Sequence, residues 1–218
     1  MEHIEQSYDK NIDLYIVSMK SARKRGKCFI NLSNNEHLLI EKDLVYEFQL
    51  QKGHQLSREV FDKLMFREAL IEAKKKGLSY ATYALRSTQQ VKKKLSVYGY
   101  NTAIIQEVIS FLHEFEYLSD ELFTISFIKA KIERKYYGIQ RLKRELESKG
   151  IHSSIIDNCL SSAYPEETAL EIARKSAEKK LRSISFREDK KKRIQLQNHL
   201  FRQGFPIEVI KQVLNEYC

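Results

Sequence analysis

The residues able to do chemistry are scattered rather than gathered. His3, His37, His54, His113, His152 and His199 each lack a second histidine or cysteine at metal-ligand spacing, so each reads as a solvated or packed imidazole. Cys28, Cys159 and Cys218 are far apart and odd in number, which gives neither a disulfide framework nor a CxxC pair. Reduced thiols are the simplest reading. No GxGxxG, Walker lysine loop or GxSxG occurs, so nothing cradles a nucleotide or presents an elbow nucleophile. The acidic pairs Asp120-Glu121 and Glu166-Glu167 fall where helices are expected to begin, and there a carboxylate stabilises the helix N-terminus. The chain therefore reads as a protein that is not an enzyme, with no metal site and no cofactor.

The basic residues carry more. With 38 Lys and Arg against 29 Asp and Glu, the chain has a formal charge of +9 and a pI near 9.3. That charge attracts nucleic acid, anionic lipid or an acidic protein surface without choosing among them. Lys92, Lys93 and Lys94 flank the apolar pair Val91 and Leu95; Arg141, Lys143 and Arg144 flank Leu142 and Leu146; Lys190, Lys191, Lys192 and Arg193 precede Leu196. Any one of these clusters is, taken singly, a solvated helix face. Their recurrence is the reason to treat them together, along with Arg86, Lys131, Arg134 and Tyr137, as candidate contact residues for DNA or for an acidic groove in a protein polymer.

These side chains must be positioned by helices. At 42% hydrophobic and 31% charged residues, with 2 Pro and 7 Gly, the composition is that of an ordered, helix-favouring protein. The first stretch is different: LYIVSM (14–19), KCFINL (27–32) and HLLI (37–40) are short β-prone runs, separated by a basic turn at 20–26 and by Asn34-Asn35. They predict a small antiparallel sheet. Asp43 reads as the N-cap of a short helix through Leu50 that Lys52-Gly53 stops, and Ser57 opens another with Phe61, Leu64, Met65 and Ala69 at helical spacing.

Beyond about Tyr80 a repeat emerges. VKKKLSVYGYNTAIIQEVI (91–109), LKRELESKGIHSSIIDNCL (142–160) and LQNHLFRQGFPIEVIKQVL (196–214) superpose without a gap. Val91, Leu142 and Leu196 form one apolar column; Leu95, Leu146 and Leu200 form the next. Tyr100, Ile151 and Phe205 follow, then Ile105, Ile156 and Ile210, then Ile109, Leu160 and Leu214. Gly99, Gly150 and Gly204, spaced by 51 and 54 residues, make a sixth column where a helix must end in the left-handed region. Each unit is a helix-turn-helix, and a further helical stretch precedes each one, at 79–88, 120–135 and 166–181. The expected architecture is mostly α: three tandem three-helix repeats in a curved array, at 79–116, 117–164 and 165–218, after an N-terminal extension of residues 1–78 containing the strands.

The run YALRSTQQVKKKLSVYGY that begins at Tyr83, the junction Tyr117-Leu118-Ser119-Asp120-Glu121 with Phe123 and Phe127 after it, Tyr137-Gly138, and Glu145-Leu146 through Lys149-Gly150-Ile151 together resemble the central part of the RecX family. Arg202-Gln203-Gly204-Phe205 with Val209-Ile210 is similar, more loosely, to that family's C-terminal unit, and the strands followed by Asp43-Leu44-Val45 resemble an extension found in part of it. The resemblance implies a regulator that lies in the groove of the RecA recombinase filament, and the chain itself is expected to be a monomer. It also implies that the regulator limits filament growth, ATP hydrolysis and strand exchange in recombination and DNA repair.

The alternative is a helical module that binds DNA directly and without sequence preference. The third helices are poor base readers, since 101–115 and 153–162 hold no Lys or Arg and 206–217 holds only Lys211. The repeated clusters would instead line one edge as a basic track suited to a phosphate backbone or an acidic protein groove. Phe123 and Phe127, four apart, read as core, whereas Tyr136 and Tyr137 at a junction stay open between packing and base stacking. The N-terminus MEHIEQSYDK has no apolar leader and no apolar run approaches a membrane span, so the expected location is the cytoplasm.

Overall fold

The computed structural model describes residues 14–23, 26–164, 166–184 and 189–217. Lys24, Arg25, Cys218 and His3, and the side chains of Glu166 and Glu167, lie outside what is described. The described chain divides into two compact units: one through Lys75 together with Tyr100–Val108, the other Lys76–Gly99 together with Ile109 onward.

In the first unit, β1 (Leu14–Ser21), β2 (Lys27–Leu32), β3 (His37–Glu41) and the short β4 (Gln55–Leu56) form an antiparallel sheet in the order β3-β2-β1-β4. The three strands read from the sequence are there, and β4 is an addition. Asn35 turns the β2–β3 hairpin at φ 65°, and Asn34 accepts the Glu36 amide. Ile16, Ile30, Leu32 and Ile40 point inward, as strand alternation requires, and meet Leu44, Leu56 and Leu64 in one core.

Helix α1 (Lys42–Glu47) follows β3 directly. Asp43 is not its cap: Glu41 holds the capping position without a side-chain cap bond, and Asp43 sits in the first turn. The reason is that the Glu41 carboxylate is already engaged by Lys75 at 2.9 Å and Lys27 at 3.4 Å. The helix also stops early, through Gln49 at φ 50° rather than at Gly53. Lys27 is itself buried and paired with Glu68, whose other oxygen accepts the Glu41 amide at 2.7 Å.

The largest departure from expectation is α2 (Arg58–Tyr83), 26 residues without a break. Residues 79–88 are not a separate helix, and the expected boundary at 78/79 falls inside α2. Gly77 costs a helix interior only about 1 kcal/mol relative to alanine, and an established helix absorbs that.

The helices that follow are α3 (Thr88–Val97), α4 (Thr102–Glu114), α5 (Asp120–Lys135), α6 (Ile139–Glu147), α7 (Ser153–Ala163), α8 (Glu166–Arg182), α9 (Asp189–Gln203) and α10 (Ile207–Tyr217). Gly99, Gly150 and Gly204 end α3, α6 and α9 at φ 86°, 75° and 89°. The apolar columns are core: Val91, Leu142 and Leu196 are fully buried, and so are Leu95, Leu146 and Leu200. Only Tyr100 and Ile105 among the aligned positions are half-buried. α5 packs on α7, and α8 packs on both α9 and α10. No described helix is long and apolar enough to cross a membrane.

A repeated joint and the face of the second helices

The second helices α3, α6 and α9 carry the basic clusters, so their placement decides what those clusters can reach. Ser87 caps α3 in a reciprocal box, its hydroxyl accepting the Gln90 amide at 3.2 Å while the Gln90 side chain accepts the Ser87 amide at 3.0 Å. The same hydroxyl donates at 2.8 Å to the carbonyl of Lys149, in the glycine turn after α6. One repeat later the contact recurs. Gly138 opens α6 and its amide donates at 2.8 Å to the Gln203 carbonyl, in the glycine turn after α9. Ser87 aligns with Gly138 and Lys149 with Gln203, so the two contacts are one joint used twice.

Packing at the second joint is close. A Cβ on Gly138 would lie 2.5 Å from the Gly204 backbone, and one on Gly204 would lie 2.3 Å from the Arg141 nitrogen. The Gln140 amide adds a bond to the Gly204 carbonyl at 3.1 Å. At the first joint the Thr88 amide donates to Asp120 at 2.8 Å, so that carboxylate caps α3 as well as lying in the first turn of α5. The third repeat has no such opening: α9 starts at Asp189, and Lys192, which aligns with Gly138, is already inside the helix.

The candidate contact residues separate into two groups. Arg86 covers the Tyr80 ring at 4.6 Å, and its Nε is buried without a hydrogen-bond partner among the described residues. Lys94 lies over Tyr98 at 4.8 Å and Tyr80 at 5.9 Å. Tyr137, left open between packing and base stacking by the sequence, is 7% exposed and belongs to the core. It is flanked by Arg141 at 3.9 Å and Lys131 at 5.2 Å. Both cations also pair with Glu145, at 3.2 and 3.5 Å. Burial raises the affinity of the Glu145 carboxyl for its proton, but the Arg141 hydrogen bond and the Lys131 charge outweigh it and hold the carboxyl below the usual range. Arg141 further donates to the Gln203 side chain across the joint, and Arg193 donates to the Leu214 carbonyl near the end of α10. Arg86, Lys94, Lys131, Arg141 and Arg193 are thus tied to their own chain.

The remaining candidates keep part or most of their surface exposed. Lys93, Arg134, Arg144, Lys190 and Lys191 are exposed, and Lys92, Lys143 and Lys192 are half-buried. Lys143 pairs with Asp157 at 2.7 Å across an exposed surface, which holds it weakly. Arg144 spends only its Nε, on the Gln140 carbonyl of its own helix.

Sequence reasoning passed over Phe201 and Ile194, both on α9 and both more than half exposed, at 61% and 59%. Their seven-residue spacing was the signal, hidden by the lysines before them. Phe201 joins Gln140, Lys143, Arg144 and Glu147 of α6 around an open cleft of about 340 Å³. Among the described residues no group of three or more His, Cys, Asp or Glu side chains could hold a metal ion.

Residues 73–112, 119–160 and 166–214 match, in that order, the first, second and third three-helix domains that define RecX proteins. The chain belongs to the RecX family. Among RecX relatives, regulatory protein RecX of Clostridioides difficile is 31% identical over 92% of this chain and 95% of its own. That of Bacillus licheniformis is 29% identical over 90% of this chain and 75% of its own. A crystal structure of regulatory protein RecX shares the fold at a TM-score of 0.72, with 21% identity, covering 93% of this chain and 99% of that one. RecX from Lactobacillus salivarius shares it at 0.62, with 23% identity, covering 69% and 97%. The strand-containing N-terminal extension and the three-helix domains are therefore a RecX architecture, and RecX proteins carry a regulatory name.

Proposed function

We propose that this RecX-family chain binds the RecA recombinase filament and lowers its ATP hydrolysis, filament growth and strand exchange. The observation that carries the reading is the ordered presence of all three RecX three-helix domains in a chain whose relatives are named regulatory proteins. Two features support it. The joints fix successive second helices at one register, which suits a partner that repeats, as a filament does. Apart from Arg134 on α5, the exposed and half-buried candidate cations sit on those second helices, whereas α4 and α7 contain no Lys or Arg, so a basic surface is available to a polymer while base-edge reading is poorly served.

The test is RecA ATPase on single-stranded DNA. Sub-stoichiometric protein should lower the steady-state rate and shorten filaments seen by electron microscopy. An unchanged rate and length at molar excess would rule the reading out. The second reading, direct action on DNA, rests on the +9 charge. It predicts oligonucleotide binding that falls steeply with salt and barely depends on sequence.

A further inference from the structure

The face that α9 presents beside α6 is not a continuation of the basic face. By the repeat alignment, the positions that hold Lys143 and Arg144 on α6 hold Gln197 and Asn198 on α9, and the residues bracketing them there are Ile194 and Phe201. Those two are seven apart on one side of the helix and stand 59% and 61% exposed. A single exposed apolar side chain is ordinary. Of the pair, Phe201 lines a cleft whose other wall carries the Lys143 ammonium, the Arg144 guanidinium and the Glu147 carboxylate, an apolar anchor beside Arg of the kind that makes a binding hot spot.

We propose that the cleft between α6 and α9 docks an acidic protein segment: an apolar side chain of the partner enters against Phe201, and neighbouring carboxylates face Lys143 and Arg144. The inference rests on the filament reading above and deepens it, assigning this face to the protein of the filament rather than to its DNA. The cleft's two cations outnumber its one carboxylate, Glu147, and among the described residues they are held by no more than an exposed ion pair and one bond to their own helix, so charge complementarity favours an anionic occupant. The change of character on α9 selects protein over nucleic acid. A phosphodiester chain crossing from α6 to α9 finds no cation at Gln197 or Asn198. A peptide with carboxylates on one side of an apolar anchor matches both halves.

The test uses the full chain, wild type and Phe201→Ser, Phe201→Leu and the double variant Lys143→Gln with Arg144→Gln, each checked for fold by circular dichroism. The probes are RecA filaments assembled on a single-stranded oligonucleotide, and the naked oligonucleotide, each at two salt concentrations. Phe201→Ser should weaken filament binding by about tenfold or more, the effect of losing an anchor. Phe201→Leu should recover most of the affinity, because the anchor needs apolar surface and not a ring. The double variant should weaken filament binding and flatten its salt dependence, and affinity for naked oligonucleotide should be the same for wild type and both Phe201 variants. Wild-type filament affinity in folded Phe201→Ser overturns the docking site. So does a loss confined to naked oligonucleotide that Phe201→Leu fails to restore, which would mark a base-stacking platform. A wild-type chain that does not bind filaments at all instead overturns the filament reading on which the site depends.

Discussion

Gly204 and Gly99 hold the same place in their hairpins and nearly the same backbone, φ 89° and 86°, yet their surroundings differ completely. Around Gly99 nothing lies within 4 Å of a Cβ, whereas at Gly204 the backbone and side chain of Arg141 already fill that space. Gly99→Ala should therefore cost only the left-handed strain, about 1 to 2 kcal/mol. Gly204→Ala should cost that plus about 1 to 3 kcal/mol for forcing the joint apart. Urea midpoints for the two variants would compare them, and equal losses would mean that the joint is not held closed by contact. Arg141 belongs to the same argument. The sequence places it with Lys143 and Arg144 as one basic cluster, but its bonds to Glu145 and Gln203 and its stack on Tyr137 make it part of the fold. Reversing all three charges would confound folding with binding, whereas changing Lys143 and Arg144 alone leaves the joint untouched. Residue type declares a cation; only neighbours decide whether it is spent at home.

Elements were legible where burial leaves a period in the sequence. Leu146 and Leu200 repeat at one column because each second helix buries that position, and both are fully buried. Leu146→Ala and Leu200→Ala should each lower stability by about 2 to 5 kcal/mol, and unchanged denaturant midpoints would remove these positions from the core. Elements were misread where the decisive interaction is distant. Asp43 looks like a cap, but Glu41 is bound by Lys27 and Lys75 from other elements, and no local pattern reveals that. Burial raises the Glu41 carboxyl while Lys75 and then Lys27 lower it further, leaving it below its ordinary value. It thus contributes stability above the ordinary carboxylate pKa that is lost as pH falls through the depressed folded value. Burial lowers the Lys27 ammonium while Glu68 and Glu41 raise it further, leaving it above its ordinary value. Its contribution is present below the ordinary lysine pKa and is lost as pH rises through the raised one. Removing Glu68 takes away the nearer of the two carboxylates that hold the buried Lys27 ammonium, together with the acceptor of the Glu41 amide, so Glu68→Ala should cost about 1 to 3 kcal/mol in the strand-containing unit. Thermal melts across pH would show whether that loss is greatest between those two limits, and a variant as stable as wild type near neutrality would refute the argument.

At the scale of the molecule, the sequence announced a repeat and a charge of +9 but not how they combine. The glycine column was visible, yet the hydrogen bonds that lock one repeat to the next run mostly through backbone atoms, which leave no compositional trace. For the same reason the basic clusters of α3, α6 and α9 could be anticipated, while the amide and apolar face of α9 beyond Arg193 could not. The ATPase experiment gains a second readout from this division: inhibition carried by outward cations should weaken with salt, and a part carried by an apolar anchor should persist.

The joint also makes the series directional, like bricks with a stud on one end and a socket on the other. Each socket is a glycine turn and each stud is the opening of a second helix, Ser87 or Gly138. In the last brick the stud is missing, because α9 begins three residues before Lys192 and runs through the place where a stud would stand. Duplicating the third repeat would therefore not lengthen the protein into a longer ruler. An engineer seeking to dock another unit on the third would first have to trim the start of α9 and install Ser or Gly at Lys192, because one helix that begins a turn too soon removes the stud.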